Sequence, residues 1–258
     1  MPWRPWEDVL ALVELAAPSA CAGCALAGQR WCERCATVLG ATAPRPWGPT
    51  PSPPGMPPTW VGPAYADEVR AAVVVWKDGG RADLTARLAP VLRDVLAAAL
   101  DGSPPHRAAL RAGRSVAVVP APSSPASIRA RGEHRVASLA GAALGRRARP
   151  LRVVDALRLS RHVADQAGLG SAQRWRNLAG AVRVRSDVVP GLRGVPCVVV
   201  DDVVTTGATL VECARALREA GSGPVVAVTV AATQRSGRRP GTRGAPSTPA
   251  LPEAEGSD

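Results

Sequence analysis

Two periods alternate along the middle of the chain. Leu84, Leu88, Val91, Leu92, Val95 and Leu96 recur at helical spacing and predict a helix over 82–100, closed by Asp101-Gly102. The same reading predicts helices over 134–144 and 208–220, the second closed by Gly221. Unbroken apolar runs at 115–119, 195–200 and 225–230, with a shorter one at 151–154, predict buried strands. Val-rich strands that do not alternate with polar residues are covered on both faces, and here they alternate with helices. The expected class is therefore α/β, a parallel central sheet flanked by helices. At the start of the chain, Trp6, Leu10, Val13 and Ala17 are spaced as a short amphipathic helix.

Proline breaks the pattern between 43 and 59, where Pro44, Pro46, Pro49, Pro51, Pro53, Pro54, Pro57 and Pro58 crowd together. Such a stretch forms neither helix nor sheet interior and is expected to be a stiff, extended connector. The chain divides accordingly. Residues 1–42 hold the first helix and a cysteine-rich segment, 43–59 the connector, and 60–232 the main domain. Residues 233–258 form a Gly, Pro, Ser and Arg-rich tail expected to be disordered. No internal repeat is visible.

With 46% hydrophobic and 21% charged residues, the chain is not wholly disordered. No run of about 18 apolar residues is free of charge and proline, so no membrane span is expected. Glu7, Asp8 and Glu14 surround the apolar run Val9 to Val13, and Arg4 is its only nearby cation. That contradicts a secretory signal, although Pro18-Ser19-Ala20-Cys21 faintly resembles a lipoprotein cleavage site, and a cytoplasmic location is expected. The net charge of +11 suits anionic partners, nucleic acid or phosphorylated small molecules. A GC-rich genome would produce the same skew, with Lys77 as sole lysine and no Phe, so charge alone does not choose between them.

Cys21-x2-Cys24 and Cys32-x2-Cys35 form two knuckles. Four thiolates at this spacing suit a tetrahedral structural Zn²⁺ with no open position for catalysis. The segment is too short to bury a core, so the metal would supply its folding energy. Disulfides are the rival reading, disfavoured in a reducing compartment. An iron–sulfur cluster fits the ribbon-like spacing less well. Cys197 and Cys213 fall in a predicted strand and helix and are expected to be buried, inert thiols.

The sharpest signal runs from Cys197 to Thr209. An apolar strand delivers Asp201 and Asp202, then Thr205-Thr206-Gly207-Ala208-Thr209 turns into a helix. Hydroxyls, backbone N–H groups and a helix N-terminus equip that turn for a phosphate monoester, and Gly207 permits close approach. The two carboxylates are suited to sugar hydroxyls or to a neighbouring Mg²⁺. A second anion site is expected where Val119-Pro120-Ala121-Pro122-Ser123-Ser124 leads into Arg129 and Arg131, with Ala121, Pro122 and Ser123 in the turn. His134 is a further candidate to touch phosphate, although it reads first as a surface histidine on the following helix.

The stretch 197–209 resembles the 5-phosphoribosyl 1-pyrophosphate (PRPP) motif of type I phosphoribosyltransferases. By that resemblance Asp201 and Asp202 hold the ribose 2- and 3-hydroxyls, and Thr205 to Thr209 cradle the 5-phosphate. Thr205 stands where the 6-oxopurine enzymes carry an aspartate base, so salvage of those purines is disfavoured and no base is assigned. The ordered set of features resembles the ComF family of naturally competent bacteria. That set comprises the four cysteines, Tyr65 with Lys77, Val119-Pro120-Ala121-Pro122, Arg131-Gly132, Gln166 ahead of Arg174, Asn177 and Leu178, and the PRPP motif. Glu133-His134-Arg135 departs from that family's Phe-Asn-Gln. The resemblance places a mobile hood over 158–177, rich in arginine, and allows a homodimer.

Three readings follow. The first is a phosphoribosyltransferase using PRPP and Mg²⁺, linked to DNA uptake. The second is a single-stranded-DNA-binding accessory factor working with a DNA-uptake helicase. The third is a sensor of PRPP or a nucleotide without turnover.

Overall fold

A computed structural model of the chain describes residues 19–145, 150–160 and 178–234. The helix expected around Trp6 to Ala17, the segment 161–177 and nearly all of the tail lie outside them.

The Val-rich runs meet in one six-stranded sheet. Its members are β1 (Arg45–Trp47), β2 (Thr59–Val61), β3 (Val116–Pro120), β4 (Leu151–Val153), β7 (Cys197–Val204) and β8 (Val225–Ala232). Across the sheet the order is β1-β2-β8-β7-β3-β4, parallel throughout except where β1 pairs antiparallel with β2. The expected parallel α/β sheet is thus present. The connector is less detached than its prolines suggest. Pro46 is tolerated in β1 because an edge strand need not donate every N–H to a ladder.

Side chains leave a strand on alternate faces, and here both faces are buried. Val118 of β3, Val198 and Val200 of β7, and Val226 and Val228 of β8 enter one core. On that face lie α2 (Asp67–Lys77), α3 (Thr85–Gly102) and α6 (Arg135–Leu144), which supply Val73, Trp76, Leu88, Leu92, Val95 and Leu139. Ala117, Val119, Cys197, Val199, Val225 and Ala227 enter the opposite core, with Leu210, Cys213 and Leu217 of α8 (Ala208–Glu219). Leu192 of the short helix α7 (Val189–Leu192) packs there too, as does an antiparallel pair of β5 (Leu157–Leu159) and β6 (Val182–Val184). It is tied to α8 by Arg215 donating to the Val182 carbonyl at 2.9 Å and by Gly180 N–H donating to Glu212 at 2.9 Å.

Two smaller anchors complete the frame. The cysteine-bearing segment ends in α1 (Glu33–Gly40), which rests on α2, where Arg34 pairs with Glu68 at 2.7 Å. On α4 (Pro104–Arg111), His106 is fully buried between Ser103 Oγ, 2.8 Å from Nδ1, and the Cys197 carbonyl, 3.1 Å from Nε2. A carbonyl only accepts, so Nε2 carries the proton of a neutral ring. Burial holds that ring's pKa below the ordinary histidine value.

Within the described residues the expected helices and strands are present with shifted ends. A short 3₁₀ turn (Ala82–Leu84) precedes α3, β7 runs on to Val204, and β8 to Ala232. Among the described residues no helix is long and apolar enough to cross a membrane.

Candidate functional site

The two cysteine knuckles close on each other. The sulfurs of Cys21, Cys24, Cys32 and Cys35 all lie within 4.8 Å of one another, and Cys24 and Cys32 are 3.6 Å apart. A tetrahedron of metal–sulfur bonds of about 2.3 Å has edges of about 3.8 Å, so the donor set fits a four-thiolate zinc centre. Backbone amides point at the sulfurs: Cys32 N–H donates to Cys21 Sγ and Cys35 N–H to Cys32 Sγ, each at 3.4 Å. Desolvation opposes the Cys21 thiolate. Amides of Cys24, Gly23 and Cys32 outweigh it and lower the pKa to about 6. Gly23 is required by space, because a Cβ there would lie 2.6 Å from Cys35 Sγ.

The acidic pair sits at the carboxyl end of the sheet, on β7. Chain direction explains why a site forms there. From β3 the chain passes through α6 to β4 on one side, and from β7 through α8 to β8 on the other. The two helices cover opposite faces, so β3 and β7 flank the switch point where open α/β sheets bind ligands.

Asp201 and Asp202 follow one another on β7, and their surroundings differ. Asp201 lines the loop cavity with Val203 to Leu210, and its Oδ1 accepts from Asp202 N–H at 2.9 Å. Asp202 is buried towards α2, where its Oδ2 lies 2.5 Å from Lys77 Nζ and its Oδ1 accepts from Val203 N–H at 2.8 Å. Desolvation opposes both charges. The Lys77 ammonium overcomes it at Asp202 and lowers that pKa, whereas at Asp201 burial and the Asp202 charge add and raise it. The two carboxyls thus stay neighbours but differ in surroundings, Asp202 against the Lys77 ammonium and Asp201 at the loop cavity.

The turn after β7 brings Thr205, Thr206, Gly207, Ala208 and Thr209 together around the start of α8. Gly207 takes φ +82° as the residue capping α8, a conformation that favours glycine. A Cβ there would also lie 2.9 Å from the sulfur of Met56, which the connector lays against the loop. The interior volume is about 20 Å³, room for one water. Thr206 Oγ1 already accepts from Ala208 N–H at 3.3 Å.

The second turn lies beside the first, since Pro120 is in register with Val200 and Ala121 N–H donates to the Val200 carbonyl at 2.7 Å. Ala121 is buried, Pro122 and Ser123 are half-buried, and Ser124 caps the seven-residue helix α5 (Pro125–Arg131), accepting from Ser127 N–H at 3.1 Å. Arg131 is half-buried, while Arg129 is exposed. His134 is no surface residue of the next helix. Just ahead of α6, it places Nε2 3.0 Å from the Ala121 carbonyl and Nδ1 3.7 Å from Asp155, bracing the turn. Arg135, buried, pairs with Glu133 at 3.1 Å. Leu178 is buried, and Gln166, Arg174 and Asn177 lie outside the described residues. Cys197 and Cys213 are fully buried, and desolvation raises both pKa values, that of Cys197 to about 12.

Comparison with known families gives one match. Residues 161–248 match the model of a phosphoribosyl transferase domain, a stretch that contains β6, β7, α8 and β8. No curated protein matches the chain. The parallel sheet, the flanking helices and this match together support a phosphoribosyltransferase-type fold carrying an N-terminal four-cysteine cluster.

Proposed function

We propose that the chain binds PRPP at the switch point between β3 and β7 and transfers its phosphoribosyl group, with release of pyrophosphate. One observation carries this reading: the Thr205–Thr209 turn and Asp201 share one small polar cavity at the carboxyl end of a parallel sheet. The turn's N–H and hydroxyl groups suit the 5-phosphate, and Asp201 suits a ribose hydroxyl. The adjoining Ala121–Ser123 turn with Arg131 and Arg129 suits the diphosphate. Mg²⁺ bound with the diphosphate beside the Ala121–Ser123 turn would supply positive charge that offsets the charge developing as the C1–O bond breaks. The pair of electrons in that bond leaves with pyrophosphate, and a lone pair on the acceptor forms the new bond to C1.

With room for a single water, the turn must widen to take a phosphate, and Ala208 N–H must exchange Thr206 Oγ1 for a phosphate oxygen. The four thiolates hold Zn²⁺ as a structural centre. The ordered motifs suggest a ComF-like protein whose setting is DNA uptake.

The test is calorimetric titration with PRPP and Mg²⁺, followed by pyrophosphate release with a panel of bases. Wild type is expected to bind, and the double variant Asp201→Asn, Asp202→Asn is expected to lose binding. Equal binding by both proteins sinks the site. Binding by wild type without release for any acceptor would make the pocket a sensor.

A further inference from the structure

Lys77 is the last residue of α2, and α2 is firmly seated. Val69, Ala72, Val73 and Trp76 are buried along one face, Trp76 Nε1 donates to Thr85 Oγ1 at 2.9 Å, and Glu68 is held by Arg34. A fixed helix end therefore delivers an ammonium to the carboxyl end of β7. Its Nζ lies 2.5 Å from Asp202 Oδ2, a carboxyl only 5% exposed, while the lysine side chain itself is 43% exposed. Both oxygens of Asp202 are thus engaged, one by Lys77 and one by Val203 N–H.

We propose that Lys77 is a positioning residue: it fixes Asp202 against α2, so that Asp201 is the carboxyl of the pair presented to the phosphate loop. The proposal rests on the sugar-phosphate reading of that loop. Physically, two neighbouring carboxylates at a partly buried strand end cannot both stay ionised cheaply. An ammonium beside one of them divides the pair into a fixed anion and a carboxyl that takes up a proton more readily. The charge pattern agrees. Against desolvation, Asp202 and Asp201 hold the Lys77 ammonium above its ordinary pKa, with a smaller contribution from Asp78.

The chain contains one lysine, so amine acylation followed by peptide mass spectrometry reports on a single side chain. Lys77 in wild type is expected to acylate at least fivefold more slowly than in Asp202→Asn, with a smaller change in Asp201→Asn. Equal rates in wild type and Asp202→Asn overturn the pair. Titration with PRPP and Mg²⁺ then tests the role. Lys77→Met is expected to weaken binding about tenfold, Lys77→Arg to stay within threefold of wild type, and the double variant Lys77→Met, Asp202→Asn to recover most of the loss. Recovery follows because removing both partners leaves no buried carboxylate unpaired. A double variant no better than Lys77→Met overturns positioning and makes Lys77 or Asp202 a direct ligand contact. Unchanged binding by Lys77→Met, with wild type binding, also overturns positioning. Failure of wild type to take up PRPP, with the acylation contrast intact, overturns the sugar-phosphate reading itself and leaves a structural ion pair.

Discussion

The cysteine segment and the loop after β7 dispose their polar atoms in opposite ways. In the first, four sulfurs converge on a common centre as a complete tetrahedral donor set, and backbone amides donate to two of them. In the second, Asp201, hydroxyls and amides line a cavity of about 20 Å³ at the carboxyl end of the sheet. Donors that saturate one centre hold a fold together. Polar groups lining a cavity at a topological switch point are arranged for something that arrives from outside. The difference predicts that damage to the first is read in stability and damage to the second in ligand binding.

Metal removal is the harshest way to break the comparison. Chelation, or Cys35→Ser, is expected to release one zinc per chain and unfold residues 19–40, a cost of several kcal/mol. Elemental analysis with scanning calorimetry checks it, and a melt unmoved by chelation would show that the segment needs no metal. Asp201→Asn separates the two regions most cleanly. It removes one hydrogen bond to a sugar hydroxyl, about 1.5–3 kcal/mol or at least tenfold in affinity, and leaves the melting temperature at or above that of wild type. Gly207→Ala mixes the two effects. The left-handed backbone costs about 1–2 kcal/mol, and the added methyl presses on Met56, so the denaturant midpoint falls along with phosphate binding.

The smallest effect belongs to His106, remote from either region. Its folded-state pKa lies below the unfolded value of about 6.5, so the unfolded chain takes up the proton first. The stability this histidine supplies is complete above about pH 6.5 and declines as pH falls below it. The slope is at most about 1.4 kcal/mol per pH unit. Unfolding midpoints from pH 7 to 5 should show that slope in wild type and lose it in His106→Gln.

Much of this frame was legible in the sequence, and the omissions have physical causes. Runs such as Val225 to Val230 announce strands because a parallel sheet buries both faces, and Cys-x2-Cys pairs announce their cluster because two thiols so spaced face one centre. The apolar stripe Val69, Ala72, Val73 and Trp76 was equally regular, yet α2 went unpredicted beside the proline-rich stretch. The motif Asp201-Asp202 does lie near the end of a strand, beside the loop cavity. What it concealed was the different surroundings of the two carboxyls and the lysine 125 positions earlier that meets one of them. Met56 against Gly207 and His134 under Ala121 are likewise long-range contacts with no local signature.

A structure of the protein with ribose 5-phosphate and Mg²⁺ tests the central claim most directly. The account predicts the phosphate within a widened Thr205–Thr209 turn, on the amides now closed over a single water's volume, and a ribose hydroxyl on Asp201. A sugar phosphate bound elsewhere, with that turn still closed under Met56, would contradict it.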